Sequence, residues 1–279
     1  MQAIAAHGNG EVSRGIVWLA RSGYAARGVV YLIVGAFAFM AGIGSGETVG
    51  TKGAIQQLLA HPFGDTLLWV MVVGLVAYVA WRLTQAITDP EGHGTDAKGL
   101  SIRAGLLGSA VAYTLLALFT LGLLGSSIGE SASGGAGSSG SSDFLSGLLG
   151  LKYSNYLVYV VALVPLAVGI AHLVKGWKAK FEKYFHASED VMRWVRPIAR
   201  AGLIARGVAF LIVAGMLFSG GGRYEPTDPP GLEDALNALQ SLPFGTFWLS
   251  LVGLGLVAFA VYSVSEAIWR RIDMPAVLR

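Results

Sequence analysis

The sequence contains no cysteine. Disulfides, thiolate-bound metals and cysteine nucleophiles are therefore excluded, while the compartment stays open. Charge is the second shortage. Asp, Glu, Lys and Arg make up 13% of the chain, against about 25% in ordinary soluble domains. So small a stock cannot cover a water-facing surface, so the expected solvent is lipid. A large charge imbalance is missing too: the net charge is +3, and no nucleic-acid partner is expected.

What is there instead is long and apolar. Residues 29–46, 66–81, 104–129, 154–171, 207–222 and 245–265 carry no charge. Spanning a hydrocarbon core takes roughly 17–25 helical residues, and the shorter runs reach that with their flanks. The reading is an all-α integral membrane protein with six transmembrane helices, at about 24–44, 66–87, 103–125, 154–176, 201–220 and 246–268. The first run is long and lacks a small-residue cleavage pattern, so no removable signal peptide is expected.

The basic residues sort by side. Lys98 and Arg103 lie between helices two and three. Lys175, Lys178, Lys180, Lys183, Arg193, Arg196 and Arg200 lie between four and five. With Arg14, Arg21, Arg270, Arg271 and Arg279 in the tails, that side holds fourteen, and the other holds Lys52, Lys152 and Arg223. The positive-inside rule places both termini in the cytoplasm of a cell with an inner membrane. Trp248 and Trp269 stand 21 residues apart, about 31 Å along a helix, which fits two interfacial belts.

The chain repeats itself. ARSGYAARGVVYLIVGAFAF at 20–39 returns as ARAGLIARGVAFLIVAGMLF at 199–218, with eleven of twenty positions identical. A fainter middle copy, IRAGLLGSAVAYTLLALFTL, occupies 102–121. Arg21, Arg103 and Arg200 align, as do Gly23, Gly105 and Gly202. Arg27 and Arg206 align with Ser109, so the middle copy lacks that charge. KGAIQQLLAHPFG at 52–64 matches EDALNALQSLPFG at 233–245. Leu232, Leu236, Leu239 and Leu242 make an apolar stripe, so this segment reads as a short helix on the outer face. Pro62 and Pro243 then break it, and Gly64 and Gly245 let the chain turn beside Phe63 and Phe244. The middle copy has DFLSGLLGLKYSN instead.

Each unit is therefore helix, outer segment, helix, and returns the chain to its starting side. Three such units must run parallel, with approximate threefold symmetry along the membrane normal. Inverted-repeat transport architecture is disfavoured. The expected organisation is a flexible tail at 1–10, repeats at 11–97, 98–180 and 181–270, and a C-terminal tail at 271–279. The serine-glycine tract inside 130–143 reads as a disordered loop. Residues 11–21 and 186–200 read as amphipathic segments on the cytoplasmic surface.

The tandem R-x-G-x-x-x-R-G and L-x-x-x-P-F-G motifs, on Arg21, Gly23, Arg27, Gly28, Pro62, Phe63 and Gly64 and again on Arg200, Gly202, Arg206, Gly207, Pro243, Phe244 and Gly245, resemble the bacterial membrane family called domain of unknown function 1206. The resemblance covers about residues 14–270. It implies the three-repeat membrane fold and brings no activity, cofactor or catalytic residue.

Strings that look catalytic lack their context. Gly125-Ser126-Ser127-Ile128-Gly129 has the G-x-S-x-G spacing but no strand before it. GETVGTK at 46–52 lacks the adjacent Gly-Lys-Ser/Thr of a phosphate loop. Glu91, His93 and Asp96 share a loop that nothing rigid supports, so they read as solvated residues rather than metal ligands. No cofactor and no metal are expected.

Polar residues inside the spans are the sharper signal, because ionisable groups are costly in lipid. Arg27 and Arg206 sit one to two turns in, and read as anchors and inter-helix braces or as ligand contacts. In the second helices, Arg82, His172 and Ser263 share one repeat position, and Gln85, Lys175 and Glu266 share another. These form a polar vestibule, or else Glu266 simply pairs with Arg270 four residues on. Gly23, Gly28, Gly105, Ser109, Gly202 and Gly207 are expected to permit close helix contact. Tyr31, Phe37, Phe39, Tyr113 and Phe210 read as packing and lipid contacts.

With no catalytic constellation, the expected function is a non-enzymatic scaffold or accessory protein that binds partner proteins or anionic lipid headgroups. The alternative is a small transporter or channel for an ion or small solute. An enzyme acting on lipid is the third class, and it lacks clustered His, Asp and Glu.

Overall fold

The computed structural model describes residues 2–44, 48–60, 62–128, 154–220 and 232–272. The helices are α1 (Gln2–Gly42), α2 (Thr51–Leu59), α3 (Gly64–Thr88), α4 (Ala97–Ile128), α5 (Ser154–Trp177), α6 (Glu189–Gly220), α7 (Leu232–Gln240) and α8 (Gly245–Trp269). A 3-10 turn, Glu182–Tyr184, joins α5 to α6. Among the described residues there is no strand, and one antiparallel bridge links Phe185 to Arg270. The expected loop at 130–143, the DFLSGLLGLKYSN segment up to Tyr153, Gly46, Gly129 and the tail from 273 lie outside the described residues.

Five segments are long and apolar enough to cross a membrane: Val17–Gly42, Gly64–Thr88, Ala97–Gly125, Glu189–Ser219 and Gly245–Trp269. The described apolar stretch of α5, Ala162–Trp177, is shorter. Their outward faces are bare hydrocarbon: Val70, Val73, Val111, Val164, Leu251 and Leu254 are all more than half exposed. Water would not tolerate that girdle, and lipid favours it.

Two expectations about where the long helices begin change. The backbone is helical from Gln2, so residues 2–10, expected as a tail, and 11–21, expected as a surface segment, belong to the same helix as the first span. From Glu189, the 186–200 segment is likewise the opening of α6. Met192, Val195 and Ala199 turn its apolar stripe into the bundle. No proline interrupts α1, and α6 runs on through Pro197.

Each repeat's first helix packs mainly on the second helix of a different repeat: α1 on α8, α4 on α3, α6 on α5. Within repeats, α1 packs on α3 and α6 on α8. Among the described residues, no comparable contact joins α4 and α5. The glycines report the same asymmetry. A Cβ on Gly23 would lie 2.6 Å from the Tyr78 Cα, and one on Gly202 would strike the Phe259 backbone. A Cβ on Gly28 would sit 3.0 Å from Val264, and one on Gly207 3.0 Å from the Gly169 carbonyl. On Gly105 it would meet nothing within 4 Å, and Ser109 is half-buried. The expected close contact is absent at Gly105 because its repeat partner would come from α5, with which α4 makes no comparable packing contact.

The two short helices, α2 and α7, form in the structure. Leu236 and Leu239 bury their stripe, with Leu242 half-exposed beyond it. Gly50 N–H donates to Glu233 Oε2 at 3.2 Å, and Lys52 lies 5.4 Å from the Phe119 ring centroid, so this layer ties the repeats together. The Pro-Phe-Gly turn works differently from its sequence reading. Phe63 (φ 65°) and Phe244 (φ 60°) adopt the left-handed conformation, and the glycine that follows is the first helical residue. A Cβ on Gly64 or Gly245 would collide with the Leu59 or Gln240 carbonyl, so glycine is needed for close approach and phenylalanine carries the strain. Left-handed backbone costs a non-glycine residue about 1–2 kcal/mol, and the freer unfolded glycine chain offsets part of its relief. Phe244→Gly should therefore stabilise the detergent-solubilised protein by about 0.5–1 kcal/mol. A lower midpoint of thermal unfolding would show that the exposed ring contributes more than its backbone costs.

Candidate functional site

The charged side chains buried in the spans cluster at one end of the bundle, at three repeat-equivalent places. The first is complete. Arg27 on α1 is 3% exposed. Its Nε donates to Ser263 Oγ at 3.1 Å, Nη1 to the Tyr78 hydroxyl at 2.8 Å and Nη2 to Glu266 Oε2 at 2.5 Å. The rings of Tyr24, Tyr78 and Phe259 surround the guanidinium at 5.2, 5.4 and 5.1 Å. The other Glu266 oxygen accepts from Arg270. Arg270 also reaches Glu91 at 2.7 Å, and Glu91 accepts from Gln85 Nε2 at 2.8 Å. The polar chain closes on itself, because Arg82 donates to Gln85 at 3.0 Å and to the Tyr78 hydroxyl.

The second place holds Arg82 and Gln85 on α3, facing the helix that carries Ser109. Here the cation comes from the second helix, and Tyr78 meets Tyr113 of α4 edge-on at 4.6 Å. The third place holds Arg206 on α6 with His172 and Lys175 on α5. The Arg206 guanidinium lies 4.7, 5.2 and 4.5 Å from the centroids of Tyr31, Phe210 and Phe259. His172 shares two of those rings, at 6.0 and 6.3 Å, and its Nδ1 lies 2.8 Å from the Val168 carbonyl. Lys175 Nζ donates to the Tyr262 hydroxyl at 2.8 Å. Among the described residues, no carboxylate pairs with Arg206, and its Nε has no hydrogen-bond partner.

Glu266 pairs with Arg270 four residues on, and it also pairs with Arg27 across the bundle. Gln85 and Glu266 do meet in one network, through Glu91 and Arg270, while Lys175 is turned to Tyr262. The sequence reading missed Tyr24, Tyr78 and Tyr262 as polar partners, since tyrosines in an apolar run look like packing residues. It also took Glu91 as solvated. Glu91 is half-buried, and although burial pushes its carboxyl up, the Arg270 charge outweighs this and holds it below the usual range. Among the described residues no three His, Asp or Glu side chains converge on a metal position. A groove of about 520 Å³ beside Ala26, Val29, Leu58, Trp69, Val70 and Gly74 has almost no polar wall, which suits acyl chains and offers no chemistry.

The family model for a domain of unknown function, DUF1206, matches residues 22–89, 104–179 and 201–270. The chain belongs to the DUF1206 family. The three matched DUF1206 segments coincide with the three copies of the internal repeat. The chain is also similar to the uncharacterized protein YxxB of Bacillus subtilis (strain 168), 31% identical over 253 residues and 90% of each chain. No solved structure matches it. Family membership thus accounts for the repeats, and the DUF1206 name assigns no chemistry to Arg27, Arg206 or their partners.

Proposed function

We propose that this DUF1206 protein is a non-enzymatic, six-span accessory protein of the inner membrane, with both termini cytoplasmic, which holds anionic lipid headgroups or partners that carry them. The observation that carries this reading is a surplus of cation. Arg27, Arg82, Lys175, Arg206 and Arg270 gather at one end of the bundle against the carboxylates of Glu91 and Glu266. Buried charges in lipid need partners, and five against two leaves a demand for anion. The basic segment between α5 and α6 supports the same side. It is pinned to the end of α8 by His186 N–H on the Trp269 carbonyl at 2.8 Å and Arg271 N–H on the Tyr184 carbonyl at 2.8 Å. A sixth span at α5 is supported by its 24-residue length. Threefold symmetry is supported by the rotation of helix pairings from repeat to repeat, and is weakest at the middle copy.

A second reading, transport of a small solute anion, is favoured by the unpaired Arg206 within a span. Native mass spectrometry of the gently solubilised protein separates the two. Retained anionic lipid or a stoichiometric partner is the expected result. A bare protein that nevertheless moves anions across reconstituted vesicles would replace the first reading with the second.

A further inference from the structure

We infer that Arg206, His172 and Lys175 form a binding site for a phosphate-like oxyanion, on a lipid headgroup or free in solution. The assignment rests on the reading of the protein as a holder of anionic ligands, and names the place.

The argument comes from the repeat. Arg27 and Arg206 occupy one position in two copies of the same helix. Arg27 uses two surfaces: Tyr78 of its own repeat's second helix, and Ser263 with Glu266 on the second helix of the adjoining repeat. The same two surfaces can be followed for Arg206. The counterpart of Tyr78 is Phe259, and Arg206 does lie over it at 4.5 Å. The counterparts of Ser263 and Glu266 are His172 and Lys175, on α5, the helix against which α6 packs. The positions that give Arg27 a hydroxyl and a carboxylate hold an imidazole and an ammonium in the copy that faces Arg206. The internal anion of the first place has been exchanged for a second cation.

Arg206 is 9% exposed. Its ring cage of Tyr31, Phe210 and Phe259 lowers the cost of a buried charge. Rings accept N–H poorly, however, and the unpartnered Nε stays unsatisfied. Lys175 lies one helical turn from His172, and the Arg206 guanidinium and the His172 ring both pack on Phe210 and Phe259. A buried guanidinium with no carboxylate partner among the described residues, and a second cation near it, is what a tetrahedral oxyanion requires, with the guanidinium fork supplying paired donors. Depth fits as well. Arg206 lies six residues inside Arg200, about 9 Å along the helix, and Arg200 donates to the Trp177 carbonyl at the helix end.

The test uses the full chain in nanodiscs of zwitterionic lipid, titrated separately with inorganic phosphate and with short-chain phosphatidylglycerol. Binding to wild type is expected, and the probe that binds more tightly identifies the source. Arg206→Gln and Lys175→Gln should each weaken that binding at least tenfold. Lys178→Gln and Arg193→Gln, which remove exposed charges nearby, should change it less than twofold. Lys175→Glu supplies the carboxylate that Glu266 supplies to Arg27, so it should abolish binding while raising the unliganded unfolding midpoint. That combined outcome cannot come from a damaged fold. Equal losses across all the charge-removing variants would overturn the site and leave general headgroup attraction standing. If wild type binds neither probe, and native mass spectrometry also finds no anionic lipid, the site and the proposed function fall together.

Discussion

Glu266→Gln destabilises the bundle by about 3–5 kcal/mol, because it leaves Arg27 and the inner side of Arg270 charged and unpaired in a buried place. Arg27 is 3% exposed and Arg270 7%, so neither guanidinium can turn to water. The network joins α1, α3 and α8 with the Glu91 loop, so the loss spreads beyond one contact. Thermal unfolding in mild detergent should show a much lower midpoint and poor accumulation in membranes. The double variant Arg27→Met with Glu266→Met should recover much of the loss, since removing both charges also removes their desolvation cost. Arg270 keeps Glu91 at 2.7 Å in that background. A Glu266→Gln protein with the wild-type midpoint would show that the ion pairs do not brace the helices.

The second large effect is a change of sign between equivalent glycines. Gly202→Ala should destabilise by about 1–3 kcal/mol, because its methyl group would strike the Phe259 backbone, which cannot rotate aside. Gly105→Ala should stabilise by about 0.5–1 kcal/mol, through helix propensity alone, since nothing stands within 4 Å of its new Cβ. Both residues hold the same place in the repeat. Matched unfolding midpoints of the two variants test whether α4 stands apart from α5. If Gly105→Ala proves as damaging as Gly202→Ala, the third within-repeat interface is closed.

Apolar spans and repeat order depend on local pattern, and pattern is carried by the chain itself. Apolar runs of spanning length mark the helices. The two near-identical copies mark the repeat, and the Pro-Phe-Gly strings mark where short outer helices turn into long ones. Even there, the left-handed residue is phenylalanine rather than glycine, because the tight spot is set by the carbonyl of the preceding helix and not by the dihedral preference of the glycine.

The polar places were legible as positions and illegible as pairings. Arg27 and Glu266 are 239 residues apart, and nothing local connects them. Glu91 looked like an ordinary loop carboxylate until the fold brought Arg270 to it. Arg27 and Arg206 look alike on the chain: each sits in R-x-G-x-x-x-R-G before an apolar run. Their difference is decided by the neighbour each copy packs against. α8 offers Arg27 a serine and a glutamate, while α5 offers Arg206 a histidine and a lysine. The sequence alone determines that this chain is a repeated bundle for lipid with a cation kept inside it. Only the tertiary structure decides which cation is neutralised and which is left open, because that depends on contacts between repeats rather than within them.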